Sequence, residues 1–133
     1  PYIKKIQHFE SIKKYNNTKF SIYKHKIIKV VYDRLLKFNG HKSDNMITTE
    51  QLIKKFGEHP TCYLTGTEID IYKPKTYEFD HIVPSSKGGD NSIDNLGISI
   101  RDANRSKADL TLEQFIQLCK NVLNHNGYQC IKQ

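Results

Sequence analysis

FDHIVPSSKGGDNSIDNLGISIRDANRSKAD, residues 79–109, is the stretch whose reading decides the fold. Its start closes a β-like run over 76–83 that Pro84 breaks. Residues 85–92 then read as a loop marked by Gly88-Gly89, 96–100 as a second strand, and 101–108 as a short helix. Two strands, a long loop and a helix make a compact unit. That order puts Asp80-His81 at a strand end and Asn104 on the helix, so a carboxylate, an imidazole and an amide converge on one cleft once the strands pair and the helix packs across them.

Such a set suits metal-assisted phosphodiester hydrolysis. Mg²⁺ takes hard oxygen ligands, needs only one or two protein groups besides water, and draws its remaining positions from substrate phosphate. Asp80 and the Asn104 amide oxygen are therefore the candidate metal ligands. His81 is the candidate general base, since an imidazole with an ordinary pKa of about 6.5 is largely neutral at physiological pH and can take a proton from attacking water. The plainer alternative is a hydrogen-bonded Asp-His pair with no chemistry. Adjacent strand residues point to opposite faces, so a twist or break near Pro84 is expected if Asp80 and His81 are to flank one phosphate.

The residues around this triad extend the same reading. Arg101 and Lys107 lie three residues before and after Asn104 and share its side of the helix, which predicts a phosphate-facing surface. Arg105 is a further backbone contact. Lys107 has a second candidate role, stabilising charge that develops during the reaction. Asn95 opens the second strand, and an Asn side chain readily bonds nearby backbone. It is expected to fix the loop that carries His81, with an ordinary turn residue as the alternative.

Outside the central stretch, 62–67 reads as a short strand and turn. Thr48 with Gln51 forms a capping-box pattern for a helix running to about Phe56, which Gly57 ends. Thr111 with Gln114 forms another, for a final helix through Phe115, Ile116, Cys119, Val122 and Leu123 to about His125. Residues 18–38 carry Ile27, Ile28, Val31, Leu35 and Phe38 on one helical stripe, and Ile3, Ile6, Phe9 and Ile12 suggest a shorter helix before it.

The 133 residues carry a net charge of +7, a footprint for polyanions. Its distribution is uneven. Residues 1–42 hold 11 Lys and Arg against two acids, whereas 43–133 hold 10 against 12. The chain thus divides into a basic helical arm, 1–42, and a second part, 43–133, with its core motif at 62–109 and a C-terminal helix at 111–125. Lys24 and Lys29 in the arm and Lys87 in the loop complete the candidate nucleic-acid contacts. No apolar run approaches the roughly 18 residues of a membrane span, and the absence of Trp and of a lipidation signal weighs against a membrane-surface role for the arm. The chain begins Pro1-Tyr2, as expected of a processed or excised chain. Cys62, Cys119 and Cys130 contain no C-x-x-C pair and read as buried free thiols of a reducing, cytoplasmic setting.

Asp-His, a proline soon after, Gly-Gly, Asn-Leu, then Asn followed three residues later by Lys is a restrictive spacing. With it, residues 79–109 resemble the HNH nuclease family, including the HNH domains of RNA-guided CRISPR effectors, which share the Asp-His-Ile-Val-Pro and Asp-Asn steps. The preceding CYLTGTEIDIYKPKTYEF, residues 62–79, is similar to the lead-in of HNH domains in bacterial restriction and mobile-element nucleases. The resemblance implies an α+β fold, a ββα-metal core flanked by α-helices. It implies His81 as general base, Asp80 and Asn104 as metal ligands, and Asn95 as the loop-ordering asparagine. Asn rather than His at position 104 favours Mg²⁺ or Mn²⁺. The two C-x-x-C pairs of many members are missing, so a structural zinc is not expected and the flanking helices are left to supply the packing.

The function so implied is a DNA endonuclease acting on double-stranded DNA and leaving 5′-phosphate and 3′-hydroxyl ends. It would be a restriction-type or mobile-element nuclease, or a nuclease domain of a larger protein. A homodimer or an additional domain is the expected partner if both strands are cut. The competing class is a non-catalytic nucleic-acid-binding module on the same fold.

Overall fold

The computed structural model describes residues 37–38, 47–57 and 59–133. The shorter helix expected before residue 18, and the expected 18–38 helix as far as residue 36, with Lys24 and Lys29, lie outside the described residues; Lys37 and Phe38, at the end of the latter, are helical. The named elements are α1 (Thr49–Phe56), β1 (Tyr77–His81), β2 (Leu96–Ile100), α2 (Arg101–Lys107) and α3 (Leu112–His125). Short 3₁₀ turns at Pro74–Thr76, Ser85–Lys87 and Ile93–Asn95 join them.

Local chemistry sets the helix ends. Thr48 Oγ1 accepts from the Gln51 amide while Gln51 Oε1 accepts from the Thr48 amide, so two of the amides that a helix start leaves unpaired are satisfied before α1 begins. Thr111 and Gln114 repeat the arrangement ahead of α3. Gly57, at φ +66°, ends α1 in the left-handed region where a side chain is strained.

β1 and β2 form an antiparallel pair with Tyr77 opposite Ile100, Phe79 opposite Ile98, Asp80 opposite Gly97 and His81 opposite Leu96. Alternation along the strands divides the sheet. Tyr77, Phe79, Leu96 and Ile98 share one face; Glu78, Asp80, Gly97 and Ser99 share the other. The apolar face joins Leu52 of α1, Ile69 and Ile71 in a buried cluster, with Phe56 tilted against Phe79 at 6.1 Å. Complete burial of Leu52 contributes about 2 kcal/mol. Lys55 fastens α1 to the sheet, its ammonium donating to the carbonyls of Ile93 and Leu96 at 2.6 Å each.

The strand–strand–helix unit follows the expected order, β2 matches its predicted bounds, and α2 crosses the polar face with Ala103 and Lys107 buried against it. The chain is α+β. Two expectations about packing are corrected. None of the residues of α3 is buried: Ile116, Val122 and Leu123 are exposed, because no described element lies against its apolar stripe. Among the described residues the helical contribution to the core comes instead from Leu52 of α1, Ala103 of α2 and Phe38. Of the three thiols only Cys62 is buried; Cys119 sits on exposed α3 and Cys130 beyond it. Among the described residues no helix is long and apolar enough to cross a membrane.

Candidate active site

A cleft of about 420 Å³ is lined by Glu78, Phe79, Asp80 and His81 of β1, by Arg101, Asn104 and Arg105 of α2, and by Lys37 and Phe38. Consecutive β1 residues contribute to it although they alternate in direction, so the cleft runs round the edge of β1 that does not face β2. This disposes of the expected break: β1 stays paired through His81, and Asp80 and His81 reach a common space from opposite faces of one strand end.

Each member of the triad is held by a neighbour. His81 Nε2 lies 2.7 Å from Asn91 Oδ1. An amide oxygen only accepts, so Nε2 carries the hydrogen and the neutral ring keeps its lone pair on Nδ1. Phe38 stacks on the same ring, with centroids 4.0 Å apart. Asn104 donates from Nδ2 to Glu78 Oε2 at 2.6 Å, which leaves its Oδ1 as the end available to a ligand. Asp80 Oδ2 accepts from the Tyr63 hydroxyl at 2.5 Å and lies 3.4 Å from Lys107 Nζ.

Asn95 ties the loop back to itself. Its Oδ1 accepts from the Val83 amide at 2.8 Å, and its Nδ2 donates to the carbonyls of Val83 and Asp90 at 3.1 and 2.8 Å. The loop thereby presents Asn91, the next residue along, to His81. Gly89 is part of the same knot, since a Cβ there would lie 1.7 Å from the Val83 carbonyl oxygen.

The cations are arranged differently from the expected phosphate-facing row. Lys107 is fully buried, because the side of α2 that it shares with Asn104 faces the sheet, and its ammonium pairs with Asp80. Arg101 and Arg105 are 41% and 62% exposed and place Nε at 3.4 and 3.5 Å from Glu78 Oε1. A guanidinium has five donors, so their outer nitrogens remain for phosphate. Lys87 is exposed and donates to the Asp109 carbonyl.

Sequence reasoning passed over Glu78, Tyr63 and Asn91. Glu78 had a signal: two residues before Asp80 on a strand, it must share that residue's face. Burial works to raise its carboxyl pKa, but the bond from Asn104 and the two arginines outweigh burial and hold the group below the usual carboxylate value. Burial first, then the hydrogen bond and charge of Asp80, push the Tyr63 phenol well above its ordinary range, so its hydroxyl stays a donor.

The donor set can be tested against a divalent cation. Among the described residues no three His, Cys, Asp or Glu side chains gather as a metal cluster; the candidate pair offers one carboxylate and one amide oxygen. Asp80 and Asn104 line the same cleft, each with one oxygen already turned by a neighbour or left over from it. One carboxylate and one amide fit a hard ion that keeps most of its water.

Residues 62–111 match the description HNH endonuclease. Over that segment the chain is similar to the HNH endonuclease family. Two curated proteins are similar to part of the chain. The CRISPR-associated endonuclease Cas9 of Listeria innocua serovar 6a (strain ATCC BAA-680 / CLIP 11262) is 39% identical over 84 residues, covering 45% of this chain and 6% of that protein. The CRISPR-associated endonuclease Cas9 of Streptococcus mutans serotype c (strain ATCC 700610 / UA159) is 44% identical over 66 residues, 50% of this chain and 5% of that protein. The chain therefore corresponds to a small part of the length of these relatives. No solved structure matches it. The HNH segment begins at the buried Cys62 and ends at the Thr111 cap, so it contains Tyr63, β1, the loop, β2 and α2, but neither α1 nor α3.

Proposed function

We propose that this chain is the metal-dependent DNA-cleaving domain of a larger CRISPR-associated endonuclease. The observation that carries the reading is that Asp80, His81 and Asn104 line one cleft together with Arg101 and Arg105. His81, protonated on Nε2 by its bond to Asn91, uses Nδ1 to take the proton of a water aligned with the scissile phosphorus. Asp80 and Asn104 are the residues that would hold Mg²⁺ or Mn²⁺. Bound there, the ion supplies charge stabilisation to the phosphate and the leaving 3′-oxygen. Arg101 and Arg105 steady the phosphate with the nitrogens that Glu78 leaves unused. Asn95 keeps Asn91 in place, and buried Lys107 keeps Asp80 in place, which makes it a positioning residue in place of the phosphate contact its spacing suggests. Attack by water in this arrangement leaves 5′-phosphate and 3′-hydroxyl ends. One such site cuts one strand, so a double-strand break needs a second nuclease centre.

The test is plasmid nicking with Mg²⁺. His81→Ala is expected to slow nicking by roughly 10²–10⁴-fold while DNA binding persists. Equal nicking by native chain and variant removes His81 from the chemistry. Metal-independent binding with no nicking by either identifies a non-catalytic nucleic-acid-binding module.

A further inference from the structure

Residues 61–68 fold back on themselves, with Thr61 bridged to Glu68 and the Cys62 amide donating to the Thr67 carbonyl at 2.7 Å. The turn is attached through its backbone to the sheet where the Tyr63 amide donates to the Ile98 carbonyl at 3.0 Å. This lays the Tyr63 ring on Gly97. A Cβ built on Gly97 would meet ring atoms Cδ1 and Cε1 at 2.7 Å, so the seat exists only because residue 97 has no side chain. Gly97 is the strand partner of Asp80. The ring thus crosses the Gly97–Asp80 pair, and its hydroxyl donates to Asp80 Oδ2.

Lys107 comes to that same oxygen from α2. A carboxylate with no fixed contacts rotates about its Cβ–Cγ bond and exchanges its two oxygens. Two donors from separate elements, converging on Oδ2, suppress that rotation; among the described residues no donor meets Oδ1. We propose that Tyr63, seated on Gly97, is a positioning residue that fixes the Asp80 carboxylate with Oδ1 as the oxygen offered to a divalent cation. The proposal rests on the reading of Asp80 and Asn104 as the ligand pair. It extends that reading to a residue 17 positions upstream of Asp80 that touches neither the phosphate nor the attacking water.

The experiment measures Mn²⁺ binding to the full chain by electron paramagnetic resonance of the free ion, with an unfolding midpoint for every variant. Tyr63→Phe keeps the ring on its seat and deletes only the donor. It is expected to weaken Mn²⁺ binding by about tenfold with little change in the midpoint. Gly97→Ala evicts the ring while leaving the hydroxyl in the chain, and is expected to weaken binding similarly and add little to Tyr63→Phe in the double variant. Asp80→Asn and Asn104→Ala report on the ligand pair; Asn104→Ala keeps that arm readable should Asp80→Asn, which leaves Lys107 without its charge partner, fail to fold. If the ligand variants weaken binding but Tyr63→Phe binds Mn²⁺ as well as or better than the native chain, the positioning role is overturned and the pair stands. If the native chain shows no saturable binding, or the ligand variants do not weaken it, the pair falls and the role of Tyr63 falls with it.

Discussion

Lys107 holds a charge that water does not reach. Its side chain is 0% exposed and that of Asp80 only 16%, with the two 3.4 Å apart. Taking away the carboxylate strands an ammonium in the interior, at a cost of about 3 kcal/mol. Urea unfolding is therefore expected to show Asp80→Ala losing about that much, and Asp80→Ala with Lys107→Met regaining most of it; losses that simply add would show the pair to be uncoupled. Glu78 gives a pH signature. Its folded pKa lies below the ordinary 4.5 because Asn104 and the two arginines favour the carboxylate against the effect of burial. A depressed folded pKa means stability that is complete above the unfolded value and disappears as pH falls through the folded one. Native chain should thus melt above Glu78→Gln at pH 7, with the gap closing below pH 4.5. A gap that persists unchanged to acid pH refutes the ionic contribution. His81, Asp80 and Asn104 were legible in the sequence because each is a chemical group at a recognisable spacing. Glu78 and Tyr63 were not, since their bonds to Asn104 and Asp80 span 26 and 17 residues and arise only once strand register is set.

Among the elements, the loop between β1 and β2 is the one in which adjacent, identical residues play unequal parts. Gly88 has φ +90° but open space around a would-be Cβ, whereas at Gly89 that atom would collide with the Val83 carbonyl and crowd Asn95 Nδ2 at 2.9 Å. Gly88→Ala is expected to cost about 1 kcal/mol of strain and keep nicking activity. Gly89→Ala must open the Asn95 knot, so nicking should drop at least tenfold and amide exchange over 82–91 should quicken. Similar activity in both variants would separate the knot from the chemistry. The capping boxes and β2 could be read in advance because their chemistry is contained within a few residues. Helical spacing placed Lys107 beside Asn104 correctly, but it says only that two residues share a side. Which side faces the sheet depends on Ala103 and the strands beneath it. The stripe on α3 likewise announced a need for burial without saying what meets it.

For the whole molecule, most of the surplus positive charge lies in the arm and most of the candidate cleft in the rest of the chain, the two meeting where Lys37 and Phe38 line the cleft. Nine more bases than acids fall within 1–42, while 43–133 is net negative by two. If the arm supplies sequence-independent affinity, DNA binding should weaken steeply with salt. Replacing Lys24 and Lys29 with Gln should flatten the slope of log K against log[salt] by about two without altering the nicking rate at saturating DNA. A slope unaffected by the replacement would assign phosphate contact to other residues.

β2 ends at Ile100 and α2 begins at Arg101, with nothing between them. The joint has no slack. A residue inserted there would rotate the rest of α2 by about 100° around its axis, carrying Asn104 off Glu78 and Lys107 off Asp80 in a single motion. Length variation can therefore be accommodated in the exposed 85–88 turn but not at this splice, and the reading frame between sheet and helix acts as the ruler that keeps the cleft in alignment.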